Sequence, residues 1–200
     1  MLKEPLHNYL STYDESNSDV IGIFKEEDAY LKRLEIKDKY TFIIIENSSI
    51  KKFKDAYIEL CDKESENVVS TEGGEFLEQS LQYLKVNKNL FVYLESNWFD
   101  VIGVDSVSLE LDDVFGHFDF MLGFKVQKKH EQLIKTFLNQ EINESTYDLM
   151  FSQEDGLWSL NIELNGMEEF NENMSIAEAY NLLYRTIFRL KEFIEDQISH

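Results

Sequence analysis

Residues 104–126 decide the fold, and they read VDSVSLELDDVFGHFDFMLGFKV. On both sides of the central DDVFG, apolar residues recur at every second position, a period that is typical of half-buried β-strands. The recurring apolar residues are Val107, Leu109, Leu111, Phe118, Phe120, Leu122, Phe124 and Val126. Between the two runs, acidic turn residues and a glycine that can adopt a positive φ predict that the strands form a hairpin.

The polar face of this hairpin is the first candidate site. The alternation pairs Asp112 with His117 across the turn and, two residues further from it, Glu110 with Asp119. Opposed carboxylates repel each other unless a cation or a charged histidine lies between them. Oxygen and imidazole ligands suit a divalent metal, and the residues that offer them are Glu110, Asp112, Asp113, His117 and Asp119. We favour the alternative, a solvated acidic face, because acidic chains form such clusters by chance, and we assign no metal, cofactor-binding or catalytic residue.

Large apolar side chains near turns are the second candidate feature. Trp98 precedes the hairpin and Phe115 lies in its turn, where water is expected. Aromatic anchors of this kind mark binding or dimer surfaces. Closure of the core over the end of the sheet is the alternative, and it suits Trp98 better. The candidate patch for a partner or an ion is therefore Glu110, Asp112, His117, Asp119, Trp98 and Phe115.

Outward from the hairpin, the patterns predict elements on both sides. Residues 76–84 predict a helix and residues 90–94 a strand, and another helix is expected to begin near Lys128. A capping box of Ser175 with Glu178 begins a final helix of about six turns.

A second hairpin is predicted before that final helix. Asp155-Gly156 is the strongest two-residue hairpin signal in the chain, and apolar residues alternate on both sides of it. A turn at these two residues places Phe151 opposite Leu160 and Leu149 opposite Ile162. Both apolar sets then fall on one face of the sheet.

The N-terminal part of the chain predicts a similar set of elements. An apolar stripe at helical spacing comprises Leu2, Leu6, Tyr9, Leu10 and Tyr13. Strands are then predicted over residues 20–24, 29–36 and 40–46, the last two as a hairpin, followed by a helix over residues 50–61.

A repeated tetrapeptide bears on the domain organisation. The tetrapeptide DVIG occurs at residues 19–22 and again at residues 100–103. Together with the element order, it predicts an α+β fold of antiparallel sheets packed against helices, in two related α-β-β-β-α units, the second completed by a hairpin and a long helix. An acidic stretch rich in small residues places the boundary so that the units are residues 1–72 and 73–200. A single globule containing both is the alternative.

From residue 75 to residue 198, the order α-β-β-β-α-β-β-α resembles the fold shared by type III secretion chaperones and the YbjN family. The local likeness is carried by Asn139 and Asn143 after a helix, Asp155-Gly156 at the hairpin, and Asn165-Gly166 before the capped final helix. The resemblance implies an acidic domain without an active site, which binds another polypeptide or has a regulatory role, often as a dimer. It supplies no functional residues.

Charge and composition restrict the classes of function. The chain has 39 acidic and 19 basic residues, and its net charge of −20 at pH 7 repels nucleic acids and anionic membranes. The longest apolar run, residues 42–45, is too short to span a bilayer, and residues 1–13 do not read as a secretion signal, so we expect a cytoplasmic protein. Cys61, the single cysteine, is expected to be buried at the edge of a helix.

Positive charge is concentrated in the N-terminal unit. The residues concerned are Lys32, Arg33, Lys37, Lys39, Lys51, Lys52 and Lys54. A solvated helix face is the favoured interpretation, and docking of a partner's acidic segment or of the chain's own second unit is the alternative.

Three functional hypotheses follow. The leading one is a non-enzymatic, acidic protein-binding module, chaperone-like or regulatory, which binds another polypeptide through a sheet face, as a homodimer. The second is an immunity-type inhibitor of a basic toxin such as a nuclease. The third is a metal-dependent enzyme centred on His117. No cofactor, nucleic-acid partner or membrane partner is expected.

Overall fold

The computed structural model describes residues 2–12, 21–35, 42–45, 52–142 and 146–198, and within them it confirms an α+β fold. The helices are α1 Lys3–Leu10, α2 Lys25–Arg33, α3 Gln82–Val86, α4 Asn97–Val101, α5 Glu131–Glu141 and α6 Ile176–Ile198. The strands are β1 Ile21–Ile23, β2 Phe42–Ile44, β3 Tyr57–Asp62, β4 Val68–Glu72, β5 Leu90–Glu95, β6 Val104–Leu111, β7 Phe118–Phe124, β8 Tyr147–Ser152 and β9 Leu157–Glu163. None of the described helices combines the length and the apolar composition needed to cross a membrane.

A seven-stranded antiparallel sheet, in the order β4-β3-β5-β6-β7-β9-β8, forms the body of the molecule. Its central hairpin, β6–β7, confirms the prediction made from residues 104–126: Glu110 lies opposite Asp119. The N–H of Asp112 donates to the carbonyl oxygen of His117 at 2.8 Å. Gly116 adopts a φ of 80° in the turn, a conformation that a side chain would strain.

The second hairpin, β8–β9, is present, but its predicted register is wrong by two residues. Phe151 lies opposite Trp158, and Leu149 lies opposite Leu160. The loop has four residues, 153–156, because the Ser152 hydroxyl donates to the Asp155 carboxylate and the Gly156 N–H donates to the Ser152 carbonyl oxygen. A shift of two residues keeps each side chain on its predicted face.

Helix α6 covers one face of the sheet, which we call the inner face. Its capping box is confirmed: the Ser175 N–H donates to Glu178 Oε2 at 2.7 Å, and the Glu178 N–H donates to Ser175 Oγ at 3.2 Å. Tyr180 packs against Phe120 with ring centroids 5.2 Å apart. Its buried hydroxyl donates to the carbonyl oxygen of Val92 at 3.0 Å. Burial of these apolar side chains between helix and sheet is the main stabilising interaction of the fold.

Two predicted N-terminal elements are wrong. Residues 29–33, predicted as strand, belong to helix α2, whose acidic first turn and basic last turn match the helix dipole. Residues 57–61, predicted as helix, belong to strand β3, where Ile58 and Leu60 point inward at a spacing of two. Cys61 is buried as expected, but on a strand. Tyr13 and residues 36–41 and 46–51 lie outside the described residues.

The N-terminal strands pair differently from the prediction. Strands β1 and β2 form a small parallel sheet, with Ile21 opposite Phe42, whereas the prediction paired neighbouring strands as an antiparallel hairpin.

Residues 76–84 were predicted as one helix. The structure has a 3₁₀ turn over residues 74–78 and then the short helix α3.

The two copies of DVIG do not occupy equivalent positions in the structure. Ile21 and Gly22 lie in strand β1, whereas residues 100–101 end helix α4 and Gly103 has a φ of 67°. Strand β3 pairs with β5, so strands from both sides of the predicted boundary at residues 72 and 73 belong to one sheet. The division into units of residues 1–72 and 73–200 stays a prediction.

Candidate functional site

The face of the sheet opposite α6, here called the outer face, is at least partly exposed across six strands. Cross-strand pairing places its side chains on the same face as the outward-pointing residues of the central hairpin. They are Tyr57, Glu59, Phe91, Tyr93, Glu95, Ser108, Glu110, Asp119, Met121, Asp148, Met150, Ser159, Asn161 and Glu163. Carboxylates and aromatic or thioether groups dominate this set, and it includes no lysine or arginine.

An aromatic strip occupies the β3–β5 side of the outer face. Tyr57 is 47% exposed, and Phe91 and Tyr93 are half-buried. The hydroxyl of Tyr57 donates to Glu59, and that of Tyr93 donates to Glu95. Burial and the neighbouring Glu95 carboxylate raise the pKa of Tyr93, so it stays an uncharged donor at neutral pH. Rings with a polar tip suit a surface that another protein can cover.

A row of three carboxylates crosses the middle of the outer face. Glu110, Asp119 and Glu163 lie directly opposite one another on β6, β7 and β9. The imidazole of His117 lies among them: Nδ1 is 3.1 Å from Asp119 Oδ1, and Nε2 is 3.1 Å from Glu163 Oε1. Lys63 Nζ lies 3.7 Å from Glu110 Oε2 at the other end of the row. A doubly protonated imidazole can donate to both carboxylates and reduce their repulsion.

Burial affects this row as well. It raises the pKa of Asp119, although the adjacent His117 acts in the opposite direction. The ring of Phe115 stacks on that of His117, with centroids 5.8 Å apart and planes 4° from parallel. Phe115 itself is 78% exposed. The turn therefore places an exposed aromatic ring next to the carboxylate row.

Asp112 serves the turn that carries Phe115. Its Oδ1 accepts the N–H groups of Val114 at 2.8 Å and Phe115 at 2.9 Å. These backbone donors hold the pKa of Asp112 below its ordinary value. Ligand atoms of Asp112, His117 and Asp119 lie within 4.8 Å of one another, a spacing that a metal ion could use. Because turn geometry and carboxylate–imidazole contacts already explain this cluster, we assign no metal to it.

The remaining predicted anchor, Trp98, does not join this site. It is buried, and its ring packs edge-on against Tyr9 with centroids 4.5 Å apart. Helix α4 carries it into the core, so Trp98 closes the core and is not accessible to a partner. The hairpin residues Glu110, His117 and Asp119 do come together with Phe115.

The predicted basic face of the N-terminal unit is not uniformly solvated. Lys52 is fully buried, and its ammonium contacts both oxygens of Glu27 at 2.6 and 2.8 Å. The guanidinium of Arg33 contacts Glu192 and Asp196 of α6, each at 3.1 Å, which matches the alternative of docking to the chain's own second unit. Lys37, Lys39 and Lys51 lie outside the described residues.

Sequence reasoning missed two parts of the site. The aromatic strip depends on the pairing of β3 with β5, and β3 was predicted as helix. Glu163 joins the carboxylate row only because β9, which is distant in sequence, pairs with β7. The alternation along β9 was a usable signal for which face Glu163 occupies, but nothing in the sequence specified the neighbouring strand.

Comparison with protein-family models, with curated proteins and with solved structures found no match to this chain. The resemblance to type III secretion chaperones and the YbjN family therefore stays a prediction.

Proposed function

We propose that this chain is a non-enzymatic protein-binding module, chaperone-like or regulatory, which holds another polypeptide on the outer face of its seven-stranded sheet. The observation that carries the proposal is the composition of that face. An aromatic strip, Tyr57 with Phe91 and Tyr93, lies beside a row of carboxylates on an exposed sheet surface.

The aromatic strip would supply the affinity. Where one face of a sheet meets only water, the residues that point to that face, every second one along each strand, are polar. Here Phe91, Tyr93, Met121 and the 64% exposed Met150 interrupt the polar pattern. Aromatic residues and methionine are enriched in protein interfaces, and a few buried anchors contribute most of the binding free energy.

The carboxylates define the chemistry of the partner. The outer face carries Glu59, Glu95, Glu110, Asp119, Asp148 and Glu163. Such a surface attracts a basic polypeptide and repels nucleic acids and anionic membranes. Because part of this attraction is solvent-exposed, salt is expected to weaken the complex.

The arrangement around His117 favours a binding role over catalysis. Both ring nitrogens contact carboxylates, Nδ1 at Asp119 and Nε2 at Glu163, so both are occupied within the row. We further propose a cytoplasmic homodimer. Light scattering that gave the monomer mass at every protein concentration would count against the dimer.

A specific observation also favours a second candidate, an immunity-type inhibitor of a basic toxin such as a nuclease. Glu110, Asp119 and Glu163 form a line of negative charge across three strands, and such a line can imitate a nucleic-acid backbone. This candidate predicts that the captured partner is a nuclease and that the chain blocks its activity at low salt.

Affinity capture with matched variants tests the leading proposal. Full-length wild-type protein, the double variant Phe91→Ser/Tyr93→Ser and the control Val86→Ser are each used to capture partners from cells that produce the protein. Val86 is 82% exposed on α3 and does not lie on the outer face. We expect the wild type and the control to retain the same basic partner, and the double variant to lose it. Equal capture by all three proteins would refute the role of the outer face.

A further inference from the structure

A pocket with basic walls lies where the end of β7, the β8–β9 loop and the last turn of α6 meet. It has a volume of about 760 Å³. Its polar walls include Lys125, Lys129 and His130, and its apolar walls include Val126, Phe151 and Ile198. None of the described residues that line it is acidic, although the chain has 39 acidic residues and 19 basic ones. We call this feature the basic pocket.

Several cations at the basic pocket form no close ion pair, although Lys128 lies near enough to Glu131 to help lower the pKa of that carboxyl. Among the described residues, no carboxylate lies within 4 Å of the side-chain nitrogens of Lys128, Lys129 or His130. Lys128 instead places its ammonium 5.3 Å from the ring centroid of Phe151. Lys125 contacts the exposed carboxylate of Asp105 at 2.7 Å, so one cation at the rim is neutralised and its neighbours are not.

A buried lysine extends this region toward the core. Lys191 of α6 is 3% exposed, and its ammonium donates to the carbonyl oxygen of Lys125 at 2.5 Å. No carboxylate among the described residues forms an ion pair with it. The other buried lysine, Lys52, has the carboxylate of Glu27 beside it. A buried charge is normally paired, so an anion bound nearby would stabilise the charged form of Lys191.

The walls of the basic pocket suit a ligand that has an apolar part as well as a charge. Val126 is buried, Phe151 is half-buried, and Ile198 is 48% exposed although it is a large apolar side chain. A ligand that covered Ile198 and Phe151 would remove apolar surface from water. Small-molecule sites usually have volumes of about 300–1,000 Å³, mostly apolar walls and a few polar groups that fix orientation.

We propose that the basic pocket binds a small organic anion with an apolar body, for which an aliphatic carboxylate of medium length is the simplest representative. The carboxylate contacts Lys129 and His130, and the aliphatic chain lies against Val126, Phe151 and Ile198. This site is separate from the outer face, and the proposal does not depend on the protein-binding function.

Calorimetric titration of the full-length protein with three probes tests the proposal. Octanoate has both the charge and the apolar body, 1-octanol lacks the charge, and acetate lacks the body. We expect saturable binding of one octanoate, at least about tenfold tighter than either control, because each control loses one of the two interactions. Backbone amide shifts in NMR spectra should change at Val126, Phe151 and Ile198.

A matched pair of variants locates the site. Lys129 and Lys88 are both exposed, but only Lys129 lines the basic pocket. Lys129→Glu should weaken octanoate binding by about tenfold through charge reversal at the site, while Lys88→Glu, with the same change in net charge, should leave it unaltered. Circular dichroism verifies that both variants are folded.

Four results would overturn the proposal. Octanoate could fail to saturate, 1-octanol could bind as tightly as octanoate, or Lys129→Glu could bind like the wild type. The fourth is a peptide of eight glutamates that displaces octanoate and binds more tightly, which would make the pocket a site for an acidic polypeptide.

Discussion

At the scale of single residues, the pair of Glu27 and Lys52 ties the N-terminal part of the chain to the core. Both side chains are fully buried, and the Tyr184 hydroxyl donates to Glu27 Oε1 at 2.7 Å. The ammonium of Lys52 also lies 3.4 Å from the ring centroid of Trp98, a cation–π contact. Burial lowers the pKa of Lys52 to about 8, and Glu27 partly opposes that shift.

Removing one partner of this pair should be costly. We expect Lys52→Met to lower the free energy of unfolding by about 3–5 kcal/mol, because Glu27 would remain buried without a counter-charge. The double variant Glu27→Gln/Lys52→Met should recover most of the loss. Lys54→Met, at a side chain that is 68% exposed, is the control and should stay within about 0.5 kcal/mol of the wild type. Urea unfolding measures all four proteins, and a single variant as stable as the control would disprove this role.

Lys191 should make the folded protein more stable as the pH rises. Burial, and then the charge of Lys125, lower the pKa of Lys191 to about 7 from an ordinary value of 10.5. Between these two values the unfolded chain holds more protons at this residue than the folded chain, so its contribution to stability rises with pH. Below about pH 7 the folded state bears the full cost of a buried charge.

The variant Lys191→Met therefore should be more stable than the wild type at about pH 6, by roughly 2–4 kcal/mol, with a difference that shrinks toward pH 10. Unfolding in urea at several pH values provides the comparison, and Lys88→Met at an exposed site serves as the control. A difference that does not vary with pH would show that Lys191 stays charged in the folded protein.

At the scale of elements, local periodicity was sufficient for the strands of the central hairpin and for the capped helix α6. Local periodicity failed where contacts with distant parts of the chain determine the secondary structure or the register. Residues 57–61 have apolar spacing compatible with a helix, but pairing with β4 and β5 makes them a strand. The β8–β9 register was wrong because side-chain hydrogen bonding by Ser152 and Asp155 lengthens the loop beyond the two residues expected from Asp155-Gly156.

One element contact depends on a glycine. A Cβ atom on Gly74 would lie 2.4 Å from the backbone carbonyl oxygen of Lys54, where two segments of the chain approach closely. We expect Gly74→Ala to lower the free energy of unfolding by about 1–3 kcal/mol, because backbone must move to admit the methyl group.

Gly73→Ala is the matched control for this contact. Its Cβ would meet Glu75 Oε2, the far end of a flexible side chain, at 3.0 Å, so the change should stay within about 0.5 kcal/mol. Thermal unfolding of the two variants distinguishes the two sites. Equal stability would mean that the approach of residues 54 and 74 is not tight in solution.

At the scale of the whole molecule, contacts far apart in sequence bring both halves of the chain together. Glu195 of α6 accepts the hydroxyl of Tyr30 at 3.0 Å and the N–H of Leu2 at 3.1 Å. The sheet is also assembled from distant strands, which is why the hairpin part of the site was predictable and the aromatic strip was not. Glu110, His117 and Asp119 are neighbours in one hairpin, whereas Tyr93 and Glu163 join them only through the strand order.

The central claim is that the outer face holds another polypeptide, and site-specific photo-crosslinking in producing cells tests it most directly. A photoreactive amino acid is placed at Tyr93 on the outer face or, as a control, at Val86, which is 82% exposed on α3. We predict a covalent adduct with one basic protein from position 93 and none from position 86, and loss of the adduct when Phe91→Ser is added. No adduct from position 93, or the same adducts from both positions, would contradict the account.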